Sequence, residues 1–249
     1  MLTKIYKKNE VTFAIILIVI YVVGTSIAES ISETIGVMKL IPAIFHILFA
    51  TSLLIWIRRN DFYDKYGLCL PKYKAAKAWF YIPLIAVAGW GLVFGINVRY
   101  SFLETTLYVI SMLCVGFLEE IIFRGFLFKG MAANNLRAAI IVSSITFGIG
   151  HIVNLLNGRQ IAETSLQIVF AIAVGFTLVI LFYKGKSLIP CVVFHGINNA
   201  LSAFELTNEE VANKLSISEI KFEVIVIAIC VLGLTIYGVH IAKKLNIGG

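Results

Sequence analysis

The sequence predicts an all-α membrane protein, a polytopic bundle of about eight transmembrane helices. Three observations predict it. Apolar residues make up 59% of the 249-residue chain and charged residues only 14%, whereas a soluble domain carries about a quarter charged residues. Apolar stretches of bilayer-spanning length, about 20 residues, recur along the chain. Basic residues collect in every second loop between those stretches. These features exclude a soluble globular chain. The net charge of +7 is no nucleic-acid signature either, because the basic residues sit between spans and no aromatic–basic groove motif is present. Residues 1–249 read as a single integral membrane domain.

The expected spans are 11–28, 40–57, 79–98, 105–128, 136–156, 166–183, 188–204 and 222–242. The first follows Lys4, Lys7 and Lys8 and ends in Ser26-Ile27-Ala28, which imitates a signal peptide. Its apolar stretch is longer than a signal core and further spans follow, so it is expected to be retained. The N-terminus, the second loop (Arg58, Arg59, Lys65, Lys72, Lys74, Lys77), the fourth (Lys129, Arg137), the sixth (Lys184, Lys186) and the C-terminus (Lys243, Lys244) are basic. The alternate loops hold Lys39, Arg99, Arg159, Lys214 and Lys221 among acids such as Glu29, Glu33, Glu205, Glu209 and Glu210. Positive loops stay in the cytoplasm, so both termini are expected there, in a bacterial cell membrane. The second loop also carries Tyr63, Tyr66, Tyr73 and Trp79 and is expected along the interface. Cys69, Cys114, Cys191 and Cys230 are scattered and show no metal or disulfide spacing.

The fourth span holds three charges, Glu119, Glu120 and Arg124. Charges in mid-span are costly unless paired or facing a wet cavity, so such residues mark a functional site by default. Glu120 precedes Arg124 by one helical turn, the favoured order for an ion pair. Glu119 is turned about 100° away and has no such partner, which leaves it for chemistry as a general base. A salt bridge that only fixes packing is the alternative.

Two further spans carry polar groups. In Phe147-Gly148-Ile149-Gly150-His151, Phe147 and His151 share a face, and the glycines admit a close neighbour. In His195-Gly196-Ile197-Asn198-Asn199, His195 and Asn199 can aim at one point, with Asn198 nearby. Either histidine alone also reads as a hydrogen-bonded packing residue. His46 has no polar partner at helical spacing and reads as packing; His240 reads as interfacial. Helical rise puts Glu119 about 15 Å from Lys129, His195 about 13 Å from Lys186 and His151 about 21 Å from Arg137. One intramembrane pocket can therefore collect a carboxylate, two imidazoles and an amide, the groups hydrolysis needs.

The order E-E-x-x-x-R, F-x-x-x-H, H-x-x-x-N, each in its own span, resembles the CPBP intramembrane proteases, which include the CAAX prenyl endopeptidases and the bacterial Abi-type proteins. Glu119, Glu120 and Arg124, then Phe147 and His151, then His195 and Asn199 carry the resemblance, over roughly residues 105–204. It implies an intramembrane endopeptidase in which Glu119 and His151 position and activate water while His195 and Asn199 stabilise the oxyanion. It also admits zinc held by Glu119, His151 and His195. The competing metal-free account is favoured by spacing, because the only carboxylate left as base in a zinc site is Glu120, which Arg124 holds. No cofactor is therefore expected, with Zn2+ as the alternative. The expected partners are a peptide or lipidated peptide, cut near the cytoplasmic leaflet, and membrane lipids, with no nucleic acid. A non-catalytic membrane protein giving bacteriocin immunity is the second reading. A proton-coupled transporter is the third, although the repeated halves common in transporters are not visible.

Overall fold

The computed structural model describes residues 2–71, 81–155 and 158–244. Lys72, Tyr73, Lys74, Lys77, Trp79 and Leu156, used above for loops and spans, lie outside the described residues. The described residues form α1 (Leu2–Lys8), α2 (Glu10–Ile35), α3 (Leu40–Arg59), α4 (Ile82–Ala88), α5 (Phe102–Glu119), α6 (Lys129–Ala132), α7 (Leu136–Ile149), α8 (Ile161–Gly185), α9 (Ile189–Leu201), α10 (Asn208–Lys214) and α11 (Glu219–Lys244). Among them the one sheet-like contact is an antiparallel bridge between Ile96 and Glu205. Six helical units are long and apolar enough to cross a membrane, among them Phe102–Ala132, and α9 is a shorter apolar helix. The protein is an all-α integral membrane bundle.

Local chemistry sets the helix ends. Asn9 accepts the Thr12 N–H at the start of α2, and Gly36 closes that helix with φ of 77°. Ser101 and Glu104 form a reciprocal capping box at the start of α5. Asn135 caps α7, and a proline sits in the first turn of α9, where its missing N–H costs nothing. α7 gives way at Gly150–Leu155 to a tighter 3-10 turn, so the fifth span is one apolar unit with a changed pitch.

The expected span 79–98 is corrected. Its described part is the short helix α4, a turn and a 3-10 turn over Gly91–Phe94, not one spanning helix. Gly89, Gly91 and Gly95 account for the break, since each glycine costs a helix about 1 kcal/mol relative to alanine. Gly95 takes φ of 134°, and the Glu205 carboxylate packs where a Gly91 side chain would stand. The chain nevertheless changes ends here. The Leu188 N–H donates to the Gly67 carbonyl (2.7 Å) at one end, and the Asn97 N–H donates to the Phe204 carbonyl (2.8 Å) at the other.

The two ends differ. At one, Lys65 reaches Glu10 and Tyr6, Lys129 lies 5.4 Å from the Phe182 ring centre, and Lys186 lies 4.1 Å from that of Tyr183. The N-terminal helix belongs here, since the Tyr66 hydroxyl donates to that of Tyr6 at 2.8 Å. At the other end Met38 N–H donates to Glu104 (3.2 Å), Arg99 donates to the Ser202 carbonyl (3.2 Å), and Lys39 pairs with Glu29. α11 departs from this second end beside α10 and runs back toward the first, so both ends of the described chain share the basic end.

α5 packs most extensively on α9, and α7 on α8. A side chain at Gly116 would collide with the backbone of Gly196, so α5 and α9 meet glycine on glycine. Gly148 likewise faces the α8 backbone, whereas Gly150 has open space around its missing side chain. Gly116→Val is expected to lower the melting temperature in detergent, since overpacking a fixed contact costs about 1–3 kcal/mol. Gly150→Ala is expected to leave it unchanged. Equal melting temperatures for Gly116→Val and the parent protein would remove the close α5–α9 contact from the account.

Candidate active site

The polar residues of three spans meet where α5 crosses α9. At Glu120 the α5 backbone passes into a π-helical stretch, Glu120–Phe128, that continues into α6. Such wide turns leave irregular carbonyl geometry and recur at functional sites. The Ser143 hydroxyl of α7 satisfies one carbonyl of this stretch, that of Phe123, at 2.8 Å. Every residue from Leu118 to Phe128 is buried.

The acid pair is divided as its spacing predicts, with two corrections. Arg124 Nη1 lies 3.0 Å from Glu120 Oε1, and both side chains are 0% exposed. The first correction is that Glu120 does not serve Arg124 alone. The same Oε1 atom lies 2.8 Å from Nδ1 of His195. The second is that Glu119 has a partner, from a helix that spacing could not connect. The Tyr21 hydroxyl of α2 donates to Glu119 Oε1 at 2.7 Å. Glu119 Oε2 stays buried without a hydrogen bond, at 3.3 Å from Nε2 of His195. One imidazole thus stands between two carboxylates, Nδ1 toward Glu120 and Nε2 toward Glu119.

Phe147 is the hub beneath this network. Its ring centre lies 4.1 Å from the Arg124 guanidinium carbon, and 5.7 Å from the ring centres of both His151 and His195. The guanidinium nitrogens lack aligned acceptors among the described residues. A cation over an aromatic face in a dry site recovers about 2 kcal/mol. His151 stands on the 3-10 turn after α7 and keeps its edge-on contact with Phe147 despite the change of pitch.

Glu119, Phe147, His151, His195, Asn198 and Asn199 all line one cavity of about 350 Å³. Glu120 and Arg124 do not; they stand behind it. Asn198 donates to Asn199 Oδ1 at 3.3 Å, and Asn199 and Ser202 also border a second, neighbouring cavity of about 270 Å³ lined by Trp90, Phe94 and Phe222. Glu205 sits at the border of that second cavity, where burial raises its carboxyl above the usual range against the opposing pull of Arg99. The arrangement offers a carboxylate oxygen with a free lone pair, an imidazole edge and amide groups around space for a peptide. Those are the elements of an addition to a carbonyl.

His46 is a further correction. It is buried and hydrogen-bonded through both ring nitrogens, to Thr25 (3.0 Å) and Ser111 (2.9 Å), and it borders the same cavity. Tyr21 and Thr25 share the first span and Ser111 lies in the fourth, and nothing in their local sequence connects them to Glu119 or His46; these contacts cross up to 98 positions.

Among the described residues no three His, Cys, Asp or Glu side chains form a set that could hold a metal ion.

Helices of membrane-spanning length enclosing acids, imidazoles and amides define a membrane-embedded hydrolase-like core. Residues 101–201 match the family model described as Rce1-like, type II CAAX prenyl endopeptidase Rce1-like. Over that segment the chain is similar to CAAX-type intramembrane endopeptidases, which supports the resemblance to the CPBP family carried by its three motifs. No curated protein matches the chain.

Arg124→Ala is expected to cost about 3–5 kcal/mol, because it leaves the Glu120 charge buried with a cation removed. Thermal stability in detergent should fall, and the double change Glu120→Gln with Arg124→Gln should recover part of the loss. An Arg124→Ala protein with parental stability would show that the pair carries no structural load.

Proposed function

We propose that the protein hydrolyses a peptide bond of a membrane-associated or lipidated peptide, with Glu119 as general base and without a metal cofactor. The observation that carries this reading is the asymmetry of Glu119. Tyr21 fixes Oε1, while Oε2 stays buried, unbonded and on the cavity wall. A base so held is oriented before substrate arrives, which is how positioned groups lower a barrier.

In this mechanism Oε2 takes a proton from a water molecule lying between Glu119 and His151. The oxygen of that water bonds to the scissile carbonyl carbon, and the negative charge moves to the carbonyl oxygen. His195 Nε2 and the Asn199 amide meet that oxyanion. The C–N bond then breaks as the proton on Glu119 passes to the leaving nitrogen, which restores the carboxylate. Glu120 acts through His195: its contact with Nδ1 sets the direction of the ring, and Arg124 pairs with Glu120 from behind. Phe147 and Asn198 support the two imidazoles and the Asn199 amide. The partners are the peptide and the surrounding lipids, with no role for nucleic acid. The loop charges support an orientation with both termini in the cytoplasm.

Glu119→Gln preserves size and one acceptor but removes the base. It is expected to fold normally and to lose about 10²–10⁴-fold in cleavage rate. Proteomics of membrane fractions from cells carrying the parent protein or Glu119→Gln identifies substrates, and purified protein with such a peptide gives the rate. His195→Ala and Asn199→Ala should follow closely through loss of oxyanion contacts. Activity should survive exhaustive chelation. Parental rates in Glu119→Gln would remove the base assignment. Activity lost on chelation and restored only by added zinc would remove the metal-free part.

A further inference from the structure

The cavity holding Glu119 has a direction. Its lining runs from Glu119 and His195 past Met112 and Gln167 to Glu29, Lys39 and Arg159. Those last residues belong to the end of the bundle opposite the basic one. Arg159 is exposed, and Lys39 and Glu29 form an ion pair at the rim. A smaller cavity of about 130 Å³ also reaches Glu119, and it too extends toward Glu29 and Asn154.

Toward the basic end the acid pair is sealed. Arg124, Phe126, Tyr66 and Phe13 are fully buried, and the three rings interlock, with Trp56 against Phe13 and Phe126. Phe13 stacks on Trp56 with centres 5.0 Å apart, and Phe126 meets Tyr66 at 4.7 Å and Phe13 at 5.2 Å. The cavity that does exist at the basic end, about 540 Å³ beside Glu10, Lys65 and Lys129, touches none of the site residues. Among the described residues, the route to the acids therefore lies on one side of the bundle.

Basic loops stay in the cytoplasm. We infer that the site is served from the extracytoplasmic side. Its substrate is a peptide segment that reaches the outer half of the membrane, apolar around the scissile bond where Met112, Phe170, Val174 and Phe194 line the cavity, and polar where it crosses the Glu29–Lys39 and Arg159 rim. This departs from the expected cut near the cytoplasmic leaflet. It rests on the peptidase reading for the word substrate, and on the charge distribution for the side.

The test uses single cysteines in the full-length protein with Cys69, Cys114, Cys191 and Cys230 replaced, each variant first checked for its melting temperature in detergent. Met112→Cys reports the cavity interior, Arg159→Cys and Gln167→Cys its mouth, and Lys65→Cys the basic end. A charged, membrane-impermeant thiol reagent is applied to intact cells and to inside-out vesicles. Labelling of the cavity and mouth positions is expected in intact cells, and labelling of Lys65→Cys only in inside-out vesicles. The reverse pattern would overturn the inference, as would a Met112→Cys that reacts from neither side. The readout involves no cleavage, so it separates the two claims. If Glu119→Gln cells still cleave but the labelling holds, the base assignment fails and the sidedness stands. Conversely, substrates lost in Glu119→Gln cells whose cut sites lie in cytoplasmic segments would defeat the sidedness alone.

Discussion

The site depends on His195 being held between two carboxylates, one of which is already paired. Burying any one of these charges alone is unfavourable by several kcal/mol. The geometry removes that cost in stages. Arg124 compensates Glu120, Phe147 covers the guanidinium, and Glu120 fixes the imidazole through Nδ1. Only then is there a rigid imidazole edge facing Glu119. The charges farthest from the cavity serve as support for those nearest it.

The bundle supplies the close approach this requires. Glu119 and His195 come from helices that touch at Gly116 and Gly196, three residues before the first and one after the second. Larger side chains at either glycine would push α5 from α9 and open the 3.3 Å contact between the acid and the ring. The π-helical stretch begins at Glu120, so the two adjacent acids leave the helix at a change of pitch and reach opposite nitrogens of the same imidazole.

Much of this was legible because polar residues stand out in apolar spans. Glu120 and Arg124 are joined by helical spacing alone, and the structure keeps that pair. Phe147 with His151, and His195 with Asn199, were likewise visible as local patterns, and all four line one cavity. What stayed hidden was long-range. Tyr21 looks like any tyrosine within an apolar span until α2 is packed against the π-helical stretch that follows α5, and His46 finds Thr25 and Ser111 only across helix interfaces. The third span failed for a local reason that composition conceals. Its residues are apolar enough to span, but Gly89, Gly91 and Gly95 break the helix. The direction of the cavity required the packed aromatic rings around Phe126, which no single stretch of sequence announces.

The central claim is that two adjacent, chemically identical acids have separate duties, one structural and one reactive. Thermal unfolding of Glu119→Gln and Glu120→Gln in the same detergent tests it most directly, because it needs no substrate. Glu120→Gln should unfold at a clearly lower temperature, since it leaves Arg124 buried without its carboxylate, while Glu119→Gln should match the parent protein. Equal losses in the two variants, or a loss confined to Glu119→Gln, would contradict the division.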